Sequence, residues 1–413
     1  MIVAERKKGF IFVSEKNAVR LDSFLYSKHL FLNIMKNIYL LVLSLLGALA
    51  VNAQSLVYHK PYLQNPTSNA ITVMYQTLEP CHHWIEYGTD TTQVQMVRAL
   101  IGGQEVCHDR TAKVRLEGLQ SNTKYYYRVC TRKFLKNETY HKEYGPTEKT
   151  EWFSFKLHDE KATNFRMLIL NDIHINYSRD NVPHVKAASP KGDYDLIIFN
   201  GDCLTEPQSF DDALYLIHAL GDAFDLSNTP ALFVRGNHEI RGAYSAGLPA
   251  LLDNPGGKMY GSFLWGDTYF LILDCGEDKS DDHKEYYGLN DFSKFRAEET
   301  EFLKEVLKSK DYRKAQARIL IHHIPIWGNV DEYHPCTELW SDMLQNAKLD
   351  VSISAHNHEQ RIIQPGEIGN PCLVSIGNGP ENPTPMVLEK KGKNLHLIIY
   401  NSKGEVLKEQ ILK

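Results

Sequence analysis

From Phe165 to the C-terminus, apolar runs of strand length repeatedly stop at small clusters rich in carboxylate, amide and imidazole. The clusters are Asp172-Ile173-His174, Gly201-Asp202, Gly236-Asn237-His238-Glu239, His322-His323 and His356-Asn357-His358. No other feature constrains the fold as much. Continuously apolar strands need both faces of their sheet covered. Polar groups just past the ends of several such strands can then meet in one crevice outside the sheet edge.

The runs are expected as strands at Arg166–Leu170, Leu196–Phe199, Ala231–Val234, Tyr269–Leu273, Arg318–Ile321, Val351–Ser354 and Cys372–Ile376. Amphipathic patterns between them predict helices at Asp211–Phe224, Phe295–Lys308 and Thr337–Ala347. The close pair Phe263–Trp265 and Thr268–Leu273, broken at Gly266-Asp267, argues against a purely parallel sheet. A four-layer α/β/β/α sandwich over residues 164–413 accommodates both features. Before it, residues 55–157 carry short β-branched and aromatic runs separated by turns, such as Ala70–Tyr75, Trp84–Tyr87, Ala112–Leu116 and Lys124–Val129. No long amphipathic helix interrupts them, so an all-β sandwich precedes the α/β part.

A chain of 413 residues has room for these two domains and for processed sequence as well. The fourteen-residue apolar run Ile38–Val51 follows Lys36 and is followed by Ala53, which fits a secretory signal better than a spanning helix. Residues 35–54 therefore read as a signal peptide starting at Met35, and residues 1–34 as an upstream extension; a retained N-terminal anchor is the alternative. The expected location is secreted or periplasmic, with no integral membrane segment after signal removal. A net charge of -5 without a basic tract disfavours nucleic acid as a partner. Seven cysteines are an odd number at spacings that suggest neither a disulfide framework nor a cysteine metal site.

Asp172 and His174, like His356 and His358, are two residues apart; if the strand's extended geometry persists, each pair points to one side. Asp202 and Asn237 each follow a glycine that permits an abrupt turn. Mixed imidazole and carboxylate donors suit two divalent transition-metal ions such as Fe, Mn or Zn. Two such ions carry four positive charges against two from Asp172 and Asp202, and the excess suits an anionic phosphate. A small phosphate-ester substrate is the expectation. The sequence has no strand–GxxxxGK loop, no Gly-x-Ser-x-Gly elbow and no His-Glu-x-x-His helix, which argues against a P-loop enzyme, a serine hydrolase and a zincin.

The five clusters, in this order and with His323-Ile324-Pro325 as the fourth, resemble the calcineurin-like metallophosphoesterase superfamily. The likeness is to its secreted, purple-acid-phosphatase-like branch with an N-terminal fibronectin type III-like domain. Pro61-Tyr62-Leu63 and the stretch Leu116–Val129 carry the second part of it. The resemblance implies a dinuclear metal-dependent phosphoric ester hydrolase, here a phosphomonoesterase, that uses a metal-bridging hydroxide. A phosphodiesterase of the same fold and a non-catalytic phosphate-binding or structural protein with a relic site are the alternatives. It assigns Asp172, His174 and His358 to one metal and Asn237, His323 and His356 to the other, with Asp202 bridging and His238 as the acid that contacts phosphate. It favours His323 over His322, and leaves Glu239 to orient His238 or to close a local network. Thr205 stands where purple acid phosphatases carry their tyrosine ligand, and His174 where they carry glycine. The tyrosinate colour is therefore expected to be absent.

Overall fold

The computed structural model describes residues 34–39 and 55–413. Residues 34–39 form a short exposed helix; past Tyr39, the run read as an export signal lies outside the described residues, as does the extension before Ile34. Among the described residues no helix is long and apolar enough to cross a membrane.

The β-branched N-terminal runs form antiparallel strands β1 (Tyr62–Gln64), β2 (Ile71–Gln76) and β3 (Thr111–Leu116). A second layer is built on His82–Gly88 and Lys124–Arg132. Leu63, Ile71, Val73 and Val114 pack in one core with Ile85, Tyr127, Val129 and Phe155. Trp84 and Tyr125 are buried and Tyr127 fully so, which accounts for aromatic residues there by packing.

The next three apolar runs give parallel strands β4 (Asn164–Leu170), β5 (Leu196–Asn200) and β6 (Ala231–Val234). Strand β1 joins the free edge of β6, with Gln64 opposite Ala231. One nine-stranded sheet thus runs from Val406–Ile411 at one edge, through β4, β5 and β6, into β1, β2 and β3. Three N-terminal strands share this sheet with the α/β strands, while Phe153–Lys156 stays in the second N-terminal layer, paired with Lys124–Arg132. An uncovered β6 edge would present unpaired backbone groups, and β1 covers it. Side chains reinforce the join: the Tyr62 hydroxyl donates to Leu251 O at 2.7 Å, Tyr127 to Ser227 O at 2.7 Å, and Gln64 Oε1 accepts from Asp253 N at 2.6 Å.

The six-stranded sheet contains parallel strands β7 (Thr268–Ile272), β8 (Ala317–Ile321), β9 (Val351–Ser354) and β10 (Leu373–Ile376). Gly261–Trp265 and Arg361–Ile363 close its edges antiparallel. Ile169, Ile198, Phe270, Ile319 and Ile353 form the apolar layer between the two sheets. Helices α1 (Asn181–Ala188) and α2 (Phe210–Phe224) cover the outer face of the first sheet. Helices α3 (Phe292–Lys308) and α4 (Pro335–Leu344) cover that of the second. The result is an α/β sandwich with two mixed sheets and flanking helices. Helix α2 starts where Ser209 accepts from Asp212 N, and it buries Ala213, Leu214, Leu216, Ile217 and Leu220. Full burial of each of its leucines contributes about 1.5–3 kcal/mol. Helix α1 was not evident in the sequence: it has eight residues and only Val182, Val185 and Ala188 face the core.

Candidate metal centre

Strands β4, β5 and β6 of one sheet and β8 and β9 of the other end just before the polar clusters, and their ends meet. Asp172, His174, Asp202, Asn237 and His323 are all buried to 1% exposure or less. The backbone does not continue as a pleat through them. Asp172, His174, Asp202, His356 and His358 all have positive φ, between 46° and 70°. The expectation that extended geometry aims the i, i+2 pairs is therefore corrected: paired left-handed residues aim them. Left-handed non-glycine residues cost on the order of 1–3 kcal/mol each and persist only where surroundings hold them. Here Asp172 N donates to Gly201 O at 3.0 Å and His174 N to Asp202 O at 2.9 Å, locking two of the loops together.

The side chains form overlapping groups: Asp172–His174–His358, His174–Asp202–His238 and Asp202–His323–His356. His358 Nε2 lies 3.4 Å from Asp172 Oδ1 and 3.0 Å from His174 Nε2. His323 Nε2 lies 3.1 Å from Asp202 Oδ2 and 3.8 Å from Asp172 Oδ1. Asn237 Oδ1 is 3.0 Å from His356 Nδ1, which joins the amide to the second group. Asp202 belongs to two of the three groups, and its Oδ2 also faces His238 Nε2 at 4.0 Å.

The outer atoms of the same side chains are held. His323 Nδ1 meets Asn200 O at 2.9 Å, which orients Nε2 inward. Asp172 Oδ2 accepts from Asn171 Nδ2 at 2.7 Å and from His356 N at 3.2 Å. His356 Nε2 pairs with Asp331 Oδ2 at 2.7 Å, the arrangement by which a carboxylate fixes a metal-ligating imidazole. By contrast, the inward atoms Asp172 Oδ1 and His323 Nε2 are buried with no hydrogen-bond partner. Orphaned donors of this kind, in a mixed nitrogen and oxygen set, fit a pair of divalent cations. His322 is different: its ring is saturated by Ile324 O at 2.8 Å and Ser352 Oγ at 2.7 Å, so it faces away from the groups.

Electrostatics agree with a site built for cations. Burial opposes ionisation of Asp172 and Asp202, yet His323 holds both carboxyls below the usual range. Burial likewise disfavours a charged His323, but Asp202 and Asp172 push its pKa up to about 10. His174 is lowered to about 4 by burial.

Glu239 has a role that spacing left open. Its Oε1 accepts from the N–H groups of Cys203 and Leu204 at 2.7 and 2.6 Å, and its Oε2 from those of Asp202 and Gly236 at 2.8 Å each. One carboxylate thus shapes the loop that carries Asp202. Burial and the Asp202 charge push the Glu239 carboxyl up to about 7. Four N–H donors leave no acceptor for a carboxyl proton, so the anion is the form this geometry holds. Gly236 admits the loop, since a Cβ there would stand 2.3 Å from Asp202 Oδ1.

His238 is wired on three sides. Its Nδ1 meets Glu206 Oε1 at 3.0 Å and the Tyr177 hydroxyl at 2.9 Å, and Arg241 Nη1 lies 3.2 Å from its Nε2. Tyr177 also stacks on His174 with ring centroids 5.1 Å apart. Arg241 is in turn gripped by Glu277 at 3.0 Å and Asp278 at 2.7 Å. Sequence reasoning missed Glu206, Tyr177, Arg241 and Asp331. The only available signal was nearness to the clusters: Tyr177 is three residues past His174, and Glu206 four past Asp202.

Residues 165–360 match the family model described as calcineurin-like phosphoesterase. No curated protein matches the chain. Among solved structures, a purple acid phosphatase from yellow lupin (Lupinus luteus) seeds is similar with a TM-score of 0.61 and 16% identity, over 85% of this chain and 73% of that one. PhoD is similar with a TM-score of 0.55 and 13% identity, over 87% of this chain and 90% of that one. At such identities the likeness is one of fold. Together with the overlapping carboxylate and imidazole groups, the family match shows that the chain carries a calcineurin-like metallophosphoesterase domain with a dinuclear-type, metal-dependent phosphoesterase site.

Proposed function

We propose that the protein is an exported phosphomonoesterase. Asp172, His174 and His358 would hold one divalent ion, and Asn237, His323 and His356 the other, with Asp202 between them. The observation that carries this reading is the convergence of these side chains around two buried donor atoms that lack a hydrogen bond, Asp172 Oδ1 and His323 Nε2. When bound, two divalent ions supply charge neutralisation for phosphoryl oxygens and a nucleophile at neutral pH. The rest of the chemistry falls to the chain. His238 stands beside the centre as proton donor to the leaving oxygen, and Glu206 fixes its ring through Nδ1. Arg241, held by Glu277 and Asp278, braces His238 from its Nε2 side.

Asp202 lies at the centre of the groups rather than in the hydrophobic core, so Asp202→Ala should remove turnover while the protein still folds. Activity is compared on an aryl phosphate, an aryl phosphodiester and nucleotides after reconstitution with Mn, Zn or Fe. Faster turnover of the monoester supports the proposal. Preference for the diester would make the protein a phosphodiesterase, and metal binding without turnover on any of them would make the centre a relic. Thr205 is buried and its hydroxyl donates to Asp202 O at 3.3 Å, in keeping with a centre free of tyrosinate. The N-terminal strands, with β1, β2 and β3 facing the layer of His82–Gly88 and Lys124–Arg132, are read as a fibronectin type III-like module that shapes and supports the domain.

A further inference from the structure

A second group of metal-type side chains lies in the N-terminal β layers, in the part of the chain that supplies nothing to the dinuclear site. His82 opens the strand His82–Gly88, Glu105 closes the short strand Gln104–Glu105, and Cys107 follows two residues later. One donor atom from each, a ring nitrogen, a carboxylate oxygen and the thiol sulfur, lies within 4.8 Å of the other two. Spacing along the chain did not reveal this grouping, because 23 residues separate His82 from Glu105.

The surroundings hold these three in place. His83 is saturated, with Nδ1 at 2.6 Å from the Tyr75 hydroxyl and Nε2 at 2.7 Å from Val106 O, so it anchors the backbone between Glu105 and Cys107 and offers no free nitrogen. Cys107 N donates to Glu105 O at 3.0 Å, a tight turn that keeps the two side chains together. His82 Nδ1 hydrogen-bonds Glu105 Oε1 at 2.6 Å, and the ring packs beside Trp84 and Tyr144. The His82 and Glu105 side chains are 19% and 14% exposed, so neither is sealed from solvent. Arg98 Nη1 lies 3.5 Å from Glu105 Oε2, but its side chain is 50% exposed and can swing clear.

We propose that His82, Glu105 and Cys107 form a third metal site, of zinc type, with one coordination position left for solvent. Imidazole, carboxylate and thiolate are the donor set that zinc takes, and three protein ligands plus water complete its tetrahedron. Binding replaces the proton between His82 and Glu105 and releases the thiol proton. The ion fastens the exposed hairpin Leu100–Ile101/Gln104–Glu105 to the sheet.

The test is titration of the full chain with Co(II), followed by near-ultraviolet absorption. The donors proposed for the dinuclear site are nitrogen and oxygen only, so a thiolate-to-cobalt band cannot come from it, and loss of the band in Cys107→Ser separates this site from the other six cysteines. The band should saturate at an amplitude equal to one thiolate-bound ion per chain in the wild type, beyond the ions taken up by the dinuclear site, and be absent in Cys107→Ser, while phosphatase activity stays within about twofold. Arg98→Ala, which removes the competing cation and leaves the ligands intact, should tighten cobalt binding several-fold. The site is refuted by absence of the band in the wild type or its persistence in Cys107→Ser. Peptide mapping that finds Cys107 in a disulfide in the isolated protein would overturn it equally.

Discussion

Replacing Glu239 with glutamine should cost more stability than any other single change at the rim of the centre, although it removes no metal ligand. The carboxylate accepts four backbone N–H groups at 2.6–2.8 Å, two on each oxygen, and is 3% exposed. Glutamine keeps one acceptor oxygen and turns an NH2 group toward the other two donors. Two buried N–H groups are then unsatisfied, at about 1–3 kcal/mol each, for a loss of roughly 2–6 kcal/mol. Against a total stability of about 5–15 kcal/mol, that is a large fraction. The loss is also local: the pair released on one side is Cys203 and Leu204, on the other Asp202 and Gly236, and both hold the Asp202 loop. Urea denaturation of the metal-free protein at neutral pH measures the first effect. Metal titration under folding conditions measures the second, expected as a loss of affinity of about 10- to 100-fold, as for other groups that orient ligands. A Glu239→Gln protein within about 1 kcal/mol of wild type and with unchanged metal affinity would refute the reasoning, because the four bonds would then carry no net free energy.

Asp331→Asn should lower metal affinity by about 10- to 100-fold with little change in urea midpoint, since Asp331 is half-buried and acts on His356 through one 2.7 Å contact; equal affinities in a competition titration would disprove its role. His218 is buried against Tyr62 and His59, and burial lowers its pKa to about 3. Its stabilising contribution is present above about pH 6.5 and is lost as pH falls from there toward 3, because the unfolded chain takes up the proton first. The acid loss of stability should shrink in His218→Phe, measured as urea midpoints at pH 7 and pH 4; an unchanged difference between the two would exclude it. Removing residues 56–157 should leave an insoluble chain, because it strips β1 from the edge of β6 and deletes the Tyr62 and Tyr127 hydrogen bonds. A soluble, cooperative 158–413 fragment by circular dichroism and size-exclusion chromatography would show that the shared sheet is dispensable.

The strands and helices of the α/β part were legible from local pattern, because a buried strand must be apolar throughout and a half-buried helix must repeat every three to four residues. Ala231–Val234 and Val351–Ser354 were expected with the bounds observed, and the helices within a few residues of theirs. The donor types were legible too. A polar cluster immediately after an apolar run can only sit at a strand end, and Asp172, Asp202, Asn237, His323 and His356 all do. Three things were decided by tertiary contacts. The first is backbone handedness: nothing local places Asp172, His174, Asp202, His356 and His358 at positive φ, and hydrogen bonds between loops tie Asp172, His174 and His356 in place. The second is the partner shell, because Glu206, Tyr177 and Asp331 act on residues from 25 to 61 positions away. The third is the joining of β1 to β6, 167 residues apart at the Gln64–Ala231 pair, which puts strands of both expected domains in one sheet. A sequence shows which strands will be buried, but the choice of edge is made by whichever partner satisfies its open backbone groups, and that partner can come from anywhere in the chain.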